Sequence, residues 1–262
     1  MSRPKPIRLD RLLVDQGLAP SRLRARELIE AGRIQVDGLV VTKPSSQVRP
    51  DRPVLVLSTE REWVGRGARK LLGALEALPM GVDGRVCADL GASTGGFTEV
   101  LLEHGARRVF AIDVGRGQLH QRLVTDPRVV VMDGVNARHL GSGEGVSLEA
   151  PVERVVGDLS FISLRLILPA IHRITTPDAE ALVLVKPQFE AGRAAIAKGG
   201  RVRDDGSRED AITQVADDAR AAGFEVVGGE DCVLPGAKAG NLEHFLWLRK
   251  VPGADGNGLP KP

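Results

Sequence analysis

Cys87-Ala88-Asp89-Leu90-Gly91-Ala92-Ser93-Thr94-Gly95-Gly96-Phe97 reads as a short apolar strand, a glycine-rich turn and the start of a helix. Glycines in such a turn let a ligand approach the backbone, and the helix start offers unpaired N–H groups. The spacing is G-x-x-x-G-G rather than G-x-G-x-x-G, which speaks against a pyrophosphate. Asp113 closes the next apolar run, 22 residues after Gly91, where an acid can bond both hydroxyls of a ribose. Asp133 closes the third, where an adenine lies in such folds. Glycines for a small charged tail and an acid for the ribose fit S-adenosylmethionine. The candidate contacts are Asp89, Gly91, Ala92, Ser93, Thr94, Gly95, Gly96, Phe97, Asp113, Val114, Asp133, Gly134 and Asp158. A plain strand-to-helix turn with solubilising acids is the alternative, and a nicotinamide cofactor is another.

Working outward, strands at 86–90, 108–113, 128–132, 152–158 and 180–186 alternate with helices at 67–78, 96–104, 117–124 and 161–173. A helix at 207–222 and strands at 224–232 and 243–249 follow. The pattern predicts an α/β fold, an open, Rossmann-like, mostly parallel sheet. The last two strands have no helix between them, so they form an antiparallel hairpin, with the last strand reversed.

In an open α/β sheet the chemistry lies outside the carboxyl ends of the strands. Asp158 and Lys186 end two strands there, and Glu243 begins the reversed last strand at the same edge. Lys70 lies on the helix leading into the sheet. The chain has 28 Arg and only 8 Lys, so lysine at 70 and 186 suggests a group whose pKa can be tuned, which Arg cannot supply. A lysine held between carboxylates can orient a ribose hydroxyl and favour its deprotonation. An ordinary buried ion-pair network fits the spacing equally well. The five histidines (104, 120, 139, 172 and 244) do not pair with cysteines or each other at ligand spacing, so no metal is expected.

The first sixty residues differ. Leu9, Leu12 and Leu13 make one helical face, with Arg8 and Arg11 on the other. Ser21 caps a second helix with Ala25, Leu28 and Ile29 inward and Arg22 and Arg26 outward, and Asp37-Gly38 turns a hairpin. Residues 1–70 hold 15 Lys/Arg against 8 Asp/Glu, and residues 71–262 hold 21 against 26, so the net +2 hides a basic front end on an acidic body. That split suggests a nucleic-acid-binding module, or simply a solvated basic surface. No apolar run approaches the roughly 18 residues of a spanning helix, and the first residues lack a secretory apolar core. Cys87 and Cys232, both in apolar strands, suit a reducing cytoplasm.

Several motifs carry a resemblance. Arg8-Leu-Asp-Arg-Leu-Leu-Val, Ser21-Arg22, Val36-Asp37-Gly38 and Lys43-Pro44 resemble the RNA-binding domain of ribosomal protein S4. Gly67-Ala-Arg-Lys70, the Asp89–Phe97 turn, Asp158-Leu-Ser-Phe-Ile-Ser, Lys186-Pro-Gln-Phe-Glu and Gly240-Asn-Leu-Glu243 resemble the TlyA family of FtsJ-like rRNA 2′-O-methyltransferases. The resemblance implies a class I methyltransferase sheet behind a small α+β RNA-binding domain. It implies that Lys70, Asp158, Lys186 and Glu243 are a catalytic tetrad. The implied reaction methylates the ribose of a cytidine in the small subunit rRNA, and in some members also in the large subunit rRNA. Arg8, Arg11, Ser21, Arg22, Arg26, Lys43 and Arg66 are the candidate RNA contacts, and Arg193, Lys198, Arg201 and Arg203 form either a clamp on the target strand or a solvated loop.

The expected organisation is an RNA-binding domain at 1–59, a linker at 60–66, a methyltransferase domain at 67–250 and a disordered tail at 251–262. The expected protein is a cytoplasmic monomer whose partners are ribosomal RNA and ribosomal subunits, with no membrane. Two other functions share some features: a ribosome-binding factor without catalysis, and a haemolysin-like membrane-active protein, a name some relatives carry.

Overall fold

The computed structural model describes residues 4–57, 63–143, 146–236 and 239–254. The chain divides into two compact units, Met1–Glu62 and Trp63–Pro262.

The first unit opens with β1 (Ile7–Arg8) and α1 (Leu9–Asp15), followed by α2 (Arg22–Glu30). Then come β2 (Ile34–Val36), β3 (Leu39–Val40), β4 (Gln47–Val48) and β5 (Val54–Val56). Leu9, Leu12 and Leu13 are buried against Ala25, Ile29 and Ile34. Ser21 caps α2, its hydroxyl accepting from the Arg24 N–H at 3.2 Å. Asp37 and Gly38 both have positive φ, as the tight turn between β2 and β3 requires. Arg8 stands in β1 at the cap of α1 instead of on a helix face.

The second unit begins with α3 (Gly67–Ala77), β6 (Val86–Leu90), α4 (Gly96–Glu103), β7 (Arg108–Asp113), α5 (Gln121–Val124) and β8 (Val129–Asp133). It continues with β9 (Val152–Gly157), α6 (Leu168–Ile174), β10 (Thr175–Val185), α7 (Pro187–Glu190), α8 (Asp205–Ala221), β11 (Phe224–Asp231) and β12 (His244–Lys250). The sheet order is β11-β12-β10-β9-β6-β7-β8. The strands from β10 to β8 run parallel, and β12 is antiparallel to both its neighbours. Successive strand residues serve opposite faces. Cys87, Leu182 and Leu184 pack with α3 and α4, whereas Ala88, Leu90, Val183 and Val185 pack with α6 and α8. Each buried Leu or Ile contributes about 1.5–3 kcal/mol of apolar transfer.

Local expectations shift at four places. The helix expected at 117–124 shrinks to α5, because Gly117 takes φ +64° and its N–H donates to Asp133 at 2.7 Å. The helix expected at 161–173 starts late, since Phe161 takes φ +64° and Ser163 caps a separate 3-10 turn at Leu164–Leu166. Residues 63–66, read as linker, belong to the second unit: Trp63 and Val64 pack on its core, and the Val64 N–H donates to Glu99 at 2.7 Å. Residues 251–254, read as tail, stay attached through the Val251 N–H on the Gly223 carbonyl at 2.9 Å. Linker residues 60–62 and tail residues 255–262 lie outside the described residues.

Candidate active site

The reversed last strand builds the site. Val185 pairs with His244, so Lys186 leaves β10 at the end where Glu243 enters β12. Asp158 follows β9, the parallel neighbour of β10, and reaches the same edge. α3 supplies Lys70 from its apolar side.

The four side chains meet. Lys70 Nζ donates to Glu243 Oε2 at 2.7 Å and to Asp158 Oδ2 at 3.2 Å. Lys186 Nζ is ion-paired with Asp158 Oδ1 at 2.6 Å and donates to Ser160 Oγ at 2.8 Å. Lys70, Lys186 and Glu243 are buried. Burial works against the Lys70 ammonium, yet the charge of Asp158 and the hydrogen bond to Glu243 outweigh it and hold its pKa above the usual lysine value. Burial also works against the Asp158 carboxylate, and the Lys186 and Lys70 ammoniums outweigh it, holding its pKa below the ordinary range.

These groups line a cleft of about 500 Å³ that also includes Arg66, Phe161 and Phe189. A second cleft of about 560 Å³, lined by Asp113, Val114, Gln118 and Asn136, shares Gly91, Ser93, Asp158, Ser160 and Phe161 with the first. Two carboxylates and no Lys or Arg line the second cleft.

The glycine-rich turn fits between strands and helices only as glycine at its key points. Gly91 takes φ +86°, and a Cβ there would stand 3.0 Å from the Asp158 carbonyl oxygen. A Cβ on Gly96 would stand 2.8 Å from the Ala68 backbone nitrogen. The turn is held by Asp113, whose Oδ2 accepts from the Ser93 N–H at 2.8 Å and whose Oδ1 accepts from the Gly115 N–H at 2.7 Å.

Of the candidate cofactor contacts, Gly91, Ser93, Asp113, Val114 and Asp158 line the clefts. Asp89, Ala92, Gly95, Gly96 and Phe97 are buried behind the turn, and Thr94 is exposed on it. Asp133 is half-buried with its carboxylate on the Gly117 N–H, and Gly134 lies against the Arg116 guanidinium. Asp89 sits on the interior strand β6, where burial, tempered by the Thr98 hydroxyl at 2.7 Å, pushes its pKa up to about 7.

Sequence reasoning missed Ser160, Phe161 and Phe189 as wall residues. Phe161 is 78% exposed, its ring centroid 5.3 Å from that of Phe189. An exposed aromatic at positive φ leaves no periodic trace, so only the Asp-Leu-Ser-Phe stretch itself could have signalled it.

In the first unit, three candidate RNA contacts converge on one acid that sequence reasoning also missed. Asp10 is fully buried, and Arg8, Arg22 and Arg26 reach it at 3.0, 2.9 and 3.6 Å. The hydrogen bond from Arg8 is the largest influence holding the Asp10 pKa down to about 2. Its sequence signal is an acid among Leu9, Leu12 and Leu13. Arg11 pairs with Asp15 one turn on at 3.4 Å, and Lys43 is exposed. Arg66 caps α3 in the second unit and donates to the Pro235 carbonyl at 2.8 Å. Lys198, Arg201 and Arg203 are exposed on a turn closed by the Ile196–Val202 bridge; the Arg193 side chain is outside the described residues. Among the described residues no cluster of three or more His, Cys, Asp or Glu is arranged to hold a metal.

Comparison with known proteins meets this geometry directly. The FtsJ-like methyltransferase profile matches residues 63–250, and the S4 domain profile matches residues 7–54. The chain belongs to the TlyA-type FtsJ-like methyltransferases. It is 49% identical to the 16S/23S rRNA (cytidine-2′-O)-methyltransferase TlyA of Mycobacterium tuberculosis, over 92% of this chain and 89% of that one. It is 37% identical to Hemolysin A of Brachyspira hyodysenteriae, over 92% of this chain and all of that one. A solved structure named as a hemolysin from Streptococcus thermophilus superposes with a TM-score of 0.70 at 36% identity, covering 97% of this chain and 92% of that one. The FtsJ-like match begins at Trp63, the residue at which the second unit also begins.

Proposed function

We propose that this chain transfers a methyl group from S-adenosylmethionine to the ribose 2′-hydroxyl of a cytidine in ribosomal RNA of the small subunit, with the large subunit as a second substrate. The observation that carries the reading is the junction at Asp158, where a cleft holding two lysines and Glu243 meets a cleft with carboxylates and no cation. A sulfonium cofactor suits the second cleft, and a pyrophosphate does not. Asp113 would hold the ribose of the cofactor, Val114 its adenine, and the turn at Gly91 its tail. When bound, S-adenosylmethionine supplies an electrophilic methyl group.

The protein's own part follows from charge. A ribose hydroxyl is a weak nucleophile until its proton is taken or the alkoxide is stabilised. The Lys186 ammonium, steadied by Asp158 and Ser160, would orient the hydroxyl and stabilise the alkoxide that forms as its proton passes to solvent. Lys70, kept charged by its two carboxylates, and Lys186 together balance Asp158 and Glu243 so that the site carries little net charge. Such preorganised charges favour the transition state without reorganising.

The S4 unit would grip phosphates through Arg8, Arg11, Arg22, Arg26 and Lys43, with Ser21 shaping the helix start, while Arg66 meets the strand at the cleft. Phosphate contacts position the RNA and carry little sequence information. With ribosomal subunits as partners, the chain acts in the cytoplasm. The reading is tested by incubating purified small and large subunits with methyl-labelled cofactor and mapping the ribose-methylated positions. Absence of label from both subunits refutes it and favours a ribosome-binding factor without catalysis.

The haemolysin reading has the names of relatives for it. Among the described residues no helix is long and apolar enough to cross a membrane. Dye leakage from liposomes is its test.

A further inference from the structure

Two loops meet below the catalytic cleft. One runs from Asp158 to Ser163 after β9 and carries Asp158, Ser160 and Phe161; the other runs from Lys186 to Glu190 after β10 and carries Lys186 and Phe189. Glu190 reaches back from the second loop to the first. The Ser163 hydroxyl donates to Glu190 Oε2 at 2.6 Å, and the Leu164 N–H donates to Oε1 at 2.9 Å. Among the described residues no Lys or Arg forms an ion pair with Glu190. Burial raises its pKa, Ser163 and Leu164 lower it, and Asp218 adds repulsion, leaving the carboxyl above its ordinary value. An acid kept there without a cation is costly. The bonds it makes are short and specific, and they span the two loops that carry the ion pair. Phe161, held at φ +64° between Asp158 and Ser163, also needs surroundings that restrain it.

We propose that Glu190 is a positioning residue for methyl transfer, clamping the Asp158–Ser163 loop to the Lys186–Glu190 turn and so setting the Lys186–Asp158 and Phe161–Phe189 contacts. The proposal rests on the reading of these residues as the transfer site. A group misplaced by about 1 Å can cost roughly a hundredfold in rate. Loss of the clamp therefore lowers turnover, while the basic residues of the S4 unit and the Asp113 side of the second cleft remain in place.

The test compares Glu190→Ala, Glu190→Gln, Ser163→Ala and the Ser163→Ala/Glu190→Ala pair with wild type on purified ribosomal subunits. Glu190→Ala is expected to lower kcat about 10- to 100-fold, with KM for subunits and Kd for cofactor within about threefold. Glu190→Gln, which keeps an acceptor for the Leu164 N–H, recovers most of that loss. Ser163→Ala alone lowers kcat less, and it adds nothing on top of Glu190→Ala, since the two changes break one contact. A Glu190→Ala enzyme within twofold of wild type overturns the proposal. So does a fall of kcat and melting temperature with a raised KM that Gln does not rescue, because that is a purely structural acid.

Wild type run alongside separates this failure from failure of the function itself. If wild type labels no rRNA, the clamp is read by NMR of the eight lysines labelled at Cε, with Lys186 assigned from Lys186→Arg. A changed Lys186 Cε chemical shift in Glu190→Ala supports the clamp, and an unchanged one overturns it.

Discussion

Lys70 Nζ stands 2.7 Å from Glu243 Oε2, although 173 positions separate them in the chain. The contact joins the helix that enters the sheet to the strand that closes it. Between them Asp158 takes Lys70 on one oxygen and Lys186 on the other. Each ammonium is therefore held by a carboxylate, and removing one member leaves a buried charge without its partner. Such a loss disturbs both the charge balance and the geometry of the cleft.

Lys186→Ala is expected to lower methyl transfer to ribosomal subunits by at least about a hundredfold, within the range for loss of a group that stabilises developing negative charge. Cofactor affinity, measured by calorimetry, stays within about threefold. Lys186→Arg fails similarly, since a broad planar guanidinium does not replace the compact ammonium between Asp158 and Ser160. Turnover near wild type in either variant removes Lys186 from the mechanism.

Phe161→Gly separates fold from function. The left-handed backbone at Phe161 costs a non-glycine residue about 1–2 kcal/mol, and its exposed ring buries little. Stability in urea should hold or rise by about 1 kcal/mol. Methyl transfer should fall about tenfold, because the aromatic pair at the cleft is lost; base stacking on such a ring is worth about 1–3 kcal/mol. A variant that is less stable yet fully active reverses both expectations.

Asp10 makes the first unit acid-sensitive in a defined window. Its folded pKa of about 2 lies below the ordinary 3.8, so the stabilisation is present above about pH 4 and lost as pH falls through 2. The shift corresponds to about 2 kcal/mol. Asp10→Asn should cost the unit that amount at pH 7, with the difference from wild type vanishing near pH 2, read by amide exchange in residues 4–57. The same variant, by freeing Arg8, Arg22 and Arg26 from their anchor, should weaken rRNA binding at physiological salt. Equal amide protection of variant and wild type at pH 7 removes the anchor role.

Asp89 behaves in the opposite sense. Its folded pKa of about 7 lies above the ordinary 3.8, so the neutral acid fits the core, and stability falls as pH rises from about 4 through 7. Asp89→Asn, which keeps an acceptor for Thr98, should raise the melting temperature at pH 8, and the gain should shrink toward pH 5. A melting difference independent of pH between 5 and 8 refutes the shifted carboxyl.

The order of strands and helices, the glycine-rich turn and the outward basic residues of the first unit were legible from local pattern. Periodicity and turn chemistry act over a few residues, and each residue carries them in its own side chain. Lys70, Asp158, Lys186 and Glu243 were nameable for the same reason, as strand ends, a strand beginning and a helix position. Their convergence was decided only by the β10–β12 register, which sets Val185 against His244 and brings Glu243 beside Lys186. Asp10 gathers three arginines and Glu190 joins two loops because folding lowers the solvation of a carboxylate and leaves it to the nearest donors. No spacing along the chain encodes which donors those will be, since the contacts form between segments that meet only after the sheet is assembled.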